Sequence, residues 1–241
     1  MEWLLAAVAG FVSGLALVVG ALIAWFLKVP GRVVATVMAF GSGVLISALA
    51  FDLIGEAADA GGFWPTMFGF IGGAVFYVGL NLILDVVDAR NRPGTGESPG
   101  TGVGIALGAL LDGIPETAVL GLSLVGGGQL SIPILLAVII SNLPEGLSST
   151  AYLKPEKSAT YVFALWTGIT IACALSSLGG YALMQNVDPA VTSFVTAVAA
   201  GAILAMICDT MIPEAFRDAK SFTGLIAVLG FFASFGVHQL G

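Results

Sequence analysis

Eight long apolar runs fill this chain, at roughly residues 3–27, 33–55, 63–85, 101–125, 131–152, 159–184, 190–212 and 222–240. About 20 mostly apolar residues in a helix cross the roughly 30 Å of hydrocarbon in a bilayer. The chain has 241 residues, 58% of them hydrophobic and only 10% charged, with a mean hydropathy of +1.03. Soluble domains carry about 25% charged residues. The pattern predicts an all-α polytopic protein of the lipid bilayer, with eight transmembrane helices forming a single transmembrane domain over residues 1–241.

Charge placement predicts how the runs are oriented. The eight basic residues form four pairs, Lys28 and Arg32, Arg90 and Arg92, Lys154 and Lys157, and Arg217 and Lys220. They fall in the first, third, fifth and seventh connections, and the even-numbered connections hold none. The positive-inside rule makes the basic connections cytoplasmic and both termini external, so the expected location is the plasma or cytoplasmic membrane. No basic patch remains once these flanks are set aside, which argues against nucleic-acid binding. Met1-Glu2-Trp3 lacks the positive region of a secretory signal, so the first run is expected to stay in the mature protein. The third connection, 86–100, is rich in Gly and Pro and reads as a flexible cytoplasmic loop.

The chemistry concentrates in two tripeptides, Ile114-Pro115-Glu116 in the fourth run and Leu143-Pro144-Glu145 in the fifth. A carboxylate at the centre of a membrane helix costs about 2.5–3.5 kcal/mol on insertion scales, and no basic residue lies in either run. Asp112 and Glu116 stand one helical turn apart and share a face, as do Ser141 and Glu145, with Asn142 close by. Pro115 and Pro144 cannot donate to the carbonyls of Leu111 and Ile140, which leaves further oxygen acceptors. Asp112, Glu116, Ser141, Asn142 and Glu145 are therefore candidate cation ligands. A protonated, purely structural polar cluster is the competing reading.

Asp52 and Glu56 near the outer end of the second run, and Asp209 and Glu214 near the inner end of the seventh, suggest an entrance and an exit for cations. Helix-end solvation explains Glu56 and Glu214 equally well, so Asp52 and Asp209 are the pathway candidates. His238, the sole histidine, reads as interfacial filler. Cys173 and Cys208 read as buried free thiols more readily than as a disulfide. The six methionines read as packing or lipid-facing residues. Gly69-x-x-x-Gly73 permits a close helix approach, within the bundle or across a dimer. The stretch from Gly41 to Ala57 resembles that from Ala199 to Ala215, in runs of opposite direction. An inverted repeat, a common transporter plan, and chance similarity both account for it.

These residues resemble the ZIP (Zrt/Irt-like) family of divalent metal ion transporters. The resemblance rests on Asp112-Gly113-Ile114-Pro115-Glu116-Thr117, Ser141-Asn142-Leu143-Pro144-Glu145-Gly146 and Ile212-Pro213-Glu214-Ala215. It implies an inverted-repeat bundle of eight helices, a metal site between helices four and five, and a homodimer. By position, Asp112 stands where the family usually has His, Glu116 and Glu145 match its acids, and Ser141 replaces a His or Gln. Asn142 matches an Asn or Asp, and Gly113 supplies no ligand where Asn is common. Cys173 falls about where many members have Glu, and Leu45 near a position where some have Met. The cytoplasmic loop lacks the family's frequent His cluster. An oxygen-rich set suits harder ions such as manganese or iron, with Cys173 its only possible soft ligand, and zinc binds through carboxylates.

The expectation is a secondary transporter of divalent cations of the zinc, manganese or iron class, moving them towards the cytoplasm. The ion is substrate, and no cofactor is expected. The alternative is a non-transporting metal sensor or scaffold. An intramembrane enzyme is disfavoured, since no nucleophile pairs with a histidine in the runs.

Overall fold

Pro, Gly and charged residues punctuate the apolar runs, and helices form between them. The computed structural model describes residues 1–91 and 102–240. Its helices are α1 (Glu2–Phe26), α2 (Gly31–Ala48), α3 (Gly55–Gly61), α4 (Phe63–Asn91) and α5 (Gly102–Leu122). They continue with α6 (Ile132–Leu153), α7 (Ala159–Met184), α8 (Pro189–Met206), α9 (Ile212–Ala219) and α10 (Thr223–Leu240). No strand occurs among the described residues. Ser131, Ser158 and Asp188 cap α6, α7 and α8 by accepting from the backbone N–H of Ile134, Tyr161 and Ala190. Each cap satisfies one of the unpaired donors at a helix start.

Two helices depart from regular winding. A π-helical segment, Leu49–Ile54, joins α2 to α3, and another, Ile207–Met211, joins α8 to α9. The two stretches that resemble one another in sequence therefore share this irregularity, and π segments often mark functional positions.

Among the described residues seven helical stretches are long and apolar enough to cross a membrane, where eight runs were expected. The difference arises at the C-terminal end, where Pro189–Leu240 forms one stretch of 52 residues. At 1.5 Å per residue that is about 78 Å, more than twice a bilayer's hydrocarbon core. The stretch breaks where α9 gives way to a short 3₁₀ turn, Lys220–Phe222, with Lys220 at φ 52. Helix α4 runs on to Asn91, beyond the expected boundary at 85. The remainder of the expected loop at 86–100 lies outside the described residues.

The helices pack in two groups. Helix α1 packs on α5, α6 and α7, and α5 packs on α7. In the second group α4 packs on α8, and α10 on α2. The groups meet where α2 touches α6 and where α5 touches α8. Small residues permit the closest approaches, as membrane bundles require. A Cβ added at Gly146 would sit 2.2 Å from Leu17 O on α1, and one at Gly73 would sit 1.9 Å from Val198 O on α8. Gly69 also faces α8, against Phe194 and Ala197, so the Gly69/Gly73 pair serves packing within the bundle.

The connections sort to two ends. Lys28 and Lys154 line one surface cavity, and Arg32 and Lys220 another. Residues Ala60, Gly126, Gln185 and Pro189, from the other connections, line a cavity of about 380 Å³ at the opposite end. Between the ends lies an apolar layer that includes Leu45, Leu49, Val119, Leu120, Val138 and Ile207, each at most 5% exposed.

Candidate metal site

Glu116 is buried near the middle of α5, with 2% of its surface exposed. Helix geometry places Asp112 one turn before it, and Pro115 lies inside the helix without ending it. Helix α6 is built alike, with Pro144 inside it and Ser141 one turn before Glu145. Asp112, Glu116, Ser141 and Glu145 line a single cavity of about 160 Å³ between the helix groups. Roughly 10–15 Å³ of such space holds one water, so there is room for an ion that keeps several of its waters.

Glu214, on α9, lines the same cavity, which brings four carboxylates to it. None of its lining residues, among those described, is basic. From Met38, Ser148 and Glu214 a second cavity of about 150 Å³ continues to Gly31, Tyr152, Arg217 and Asp218. The acids thus connect to the end that carries Lys28, Lys154 and Lys220.

The acids differ in what holds them. Tyr77, 2% exposed on α4, donates to Asp112 Oδ1 at 2.9 Å and lies 3.4 Å from Thr210 Oγ1. This hydrogen bond crosses between the two helix groups. Ser141 Oγ lies 3.4 Å from both Glu116 carboxylate oxygens and 3.0 Å from Val138 O. One hydroxyl proton serves these contacts, and the shortest is to the backbone, so Glu116 keeps open acceptor capacity. Among the described residues the Glu145 carboxylate accepts no hydrogen bond, and Ser148 Oγ donates only to its backbone carbonyl, at 3.3 Å. The site can therefore accept a positively charged species at several oxygens. Also among the described residues, no three His, Cys, Asp or Glu side chains are drawn together tightly enough to chelate an ion.

Asn142 does not line the cavity. Its Nδ2 donates to Ser13 O on α1 at 3.0 Å, and its Oδ1 is buried without a partner. Cys173 sits behind α5, 1% exposed in a cluster with Leu17, Ala109 and Trp166. A Cβ added at Gly113 would lie 3.2 Å from its sulfur, so Gly113 makes room for Cys173 and for no ligand of its own. Asp209 is exposed and outside the cavity. Asp52 lies elsewhere, 7% exposed on the first π segment, with Oδ1 2.9 Å from His238 Nδ1 and Oδ2 unpartnered.

Sequence reasoning missed Tyr77, His238 and three methionines, Met38, Met206 and Met211, that line the acidic cavity. Nothing in the local sequence singles out Tyr77, because its partner lies 35 positions away. Glu214 carried a signal: Ile212-Pro213-Glu214 has the same apolar-Pro-Glu form as the other two tripeptides.

No family model matches the chain. Over 184 residues, 74% of its length, it is 27% identical to an Arabidopsis thaliana protein named "Putative zinc transporter". The chain spans about 29% of the length of that relative. This likeness agrees with the ZIP-family resemblance carried by the Pro-Glu motifs. Together with the apolar helices it fits a multi-pass membrane protein.

Proposed function

We propose that the chain is a ZIP-like secondary transporter that carries divalent transition-metal cations towards the cytoplasm. One observation carries the reading: Asp112, Glu116, Glu145 and Glu214 line one cavity, and no basic residue among those described joins them there. Acids shielded from water without an internal counter-charge are costly in a membrane, and a mobile cation supplies what Asp112, Glu116 and Glu145 lack, whereas Glu214 has Arg217 nearby. The relative's printed name supports a metal, and zinc in particular. No enzymatic role is proposed.

The reading takes Pro189–Leu240 as two spans, which gives eight. Its length and the break at Lys220 support this. The basic connections are then cytoplasmic, the acidic cavity opens towards the cytoplasm, and the apolar layer closes the far side. Glu116 and Glu145 flank the ion at the bilayer midplane. Asp112, Ser141 and waters complete its shell, and Glu214 receives it on the way out. A divalent ion offsets two acids, and the remaining ones carry protons or exchange them during transport. The paired π segments support an inverted repeat, and rocking of one helix group against the other would alternate access.

The test is uptake into proteoliposomes against zinc, manganese, iron, cadmium and magnesium, with Glu116→Ala and Glu145→Ala alongside. Both variants should reach the membrane folded and lose uptake. Normal uptake by both would end the proposal. The amide of Asn142, turned towards Ser13 and away from the cavity, favours a second reading, a metal sensor or scaffold. Metal binding without flux would select it.

A further inference from the structure

The acidic cavity has two chemically different walls. Helices α5 and α6 supply Asp112, Glu116, Ser141 and Glu145, whereas α2 and the α8–α9 region supply Met38, Met206 and Met211 together with Thr210 and Glu214. Half of the chain's six methionines gather among the fourteen residues of this lining. Scattered at random, fewer than one would be expected there, so composition alone does not explain the cluster.

Winding explains how two of them reach one wall. Positions five apart in an α-helix subtend about 500°, which leaves them about 140° from a common face. Met206 and Met211 flank the π segment Ile207–Met211, whose wider turn pairs residue i with i+5. That turn brings both side chains to the cavity, with Thr210 beside them. All three methionines are shielded, at 5%, 3% and 6% exposure for Met38, Met206 and Met211.

We infer that Met38, Met206 and Met211 form a specificity-determining thioether wall, and that the substrate class is thiophilic metal cations, cadmium- and zinc-like, in preference to manganese or magnesium. The inference rests on the reading of this cavity as a metal site. The carboxylates attract any divalent cation, and their pull distinguishes poorly between ions of equal charge. Thioethers are soft and neutral, so they discriminate by polarizability without altering the charge balance. The oxygen-rich ligand set expected from sequence would select harder ions, and Cys173, its one soft candidate, lies outside the lining.

Met→Leu exchanges conserve volume and are usually tolerated. X-ray absorption at the cadmium edge, on purified cadmium-loaded protein, should show sulfur neighbours in the native chain and in Cys173→Ser. The triple variant Met38→Leu/Met206→Leu/Met211→Leu should lack them. In proteoliposomes the cadmium-to-manganese uptake ratio of the triple variant should fall about tenfold. A cadmium shell without sulfur in the native protein overturns the inference, as does an unchanged ratio in the triple variant. If no ion crosses the membrane, the transport reading fails while the sulfur shell still decides the identity of the wall. The native spectrum does so even if the triple variant does not fold.

Discussion

Of the two cavities that α5 separates, the larger is the less charged. At one end about 380 Å³ is lined by Glu56 and neutral polar or apolar groups, and at the other about 160 Å³ holds four carboxylates. Val119 lines the first and Glu116 the second, so a single turn of α5 separates them. The same apolar cluster supplies Leu53 and Ile134 to one cavity and Met206 and Met211 to the other. Size marks where water can collect. Uncompensated charge marks where a cation is required.

Charge removal should therefore act unequally at the two ends. Glu145→Gln takes away a carboxylate that accepts no hydrogen bond among the described residues, so its charge is available to the ion. Loss of a buried charge partner costs about 2–5 kcal/mol, and uptake should drop by about a hundredfold or more in the proteoliposome assay. Glu56→Gln, in the larger cavity, should change it by less than about twofold, because that charge only steers. Equal losses in the two variants would break the comparison. Glu214→Gln should fall between them, at about tenfold, since Glu214 lies where the acidic cavity opens towards Arg217.

A subtler effect is expected at Tyr77. Tyr77→Phe keeps the ring and deletes the donor to Asp112 Oδ1. Hydrogen bonds to charged groups contribute about 1.5–3 kcal/mol, and part of this is recovered once the ion binds Asp112. The KM for uptake should rise about fivefold with the maximal rate nearly unchanged, and the change should disappear in an Asp112→Asn background, read as metal binding. A fall in rate without a change in KM would assign Tyr77 to helix packing alone.

Sequence periodicity was enough to place Asp112 with Glu116 and Ser141 with Glu145, because one-turn spacing fixes a shared face whatever the tertiary arrangement. That the two faces meet at one site was implied by the family resemblance of the Pro-Glu tripeptides and not by periodicity. Periodicity failed where a side chain's role depends on a distant helix. Asn142 has the right spacing for a ligand, yet α1 passes close enough at Gly146 for the amide to reach Ser13 O. Asp209 has the sequence context of a pathway residue, but the π segment shifts the face it occupies and leaves it exposed. The C-terminal runs, expected as separate helices, are divided only by a short turn around Lys220, whose backbone conformation no propensity argument anticipates.

The smallest effect on uptake, and a clear one on stability, is expected at His238. Asp52 is buried, as Glu116 is, but it has an internal partner at 2.9 Å, and that imidazole lies against Phe51, which packs on Phe231 and Phe235. The comparison therefore assigns Asp52 a structural role, tying the first π segment to α10. His238→Ala leaves the Asp52 carboxylate buried with neither oxygen bonded by a side chain. Its imidazole is 31% exposed, and water replaces part of what is lost, so the penalty should be about 1–2 kcal/mol. Thermal unfolding in detergent should show a lower melting temperature, while the KM for metal stays at its native value. If the KM rises and the melting temperature does not move, Asp52 handles ions as the cavity acids do, and the distinction between paired and unpaired carboxylates loses its functional meaning.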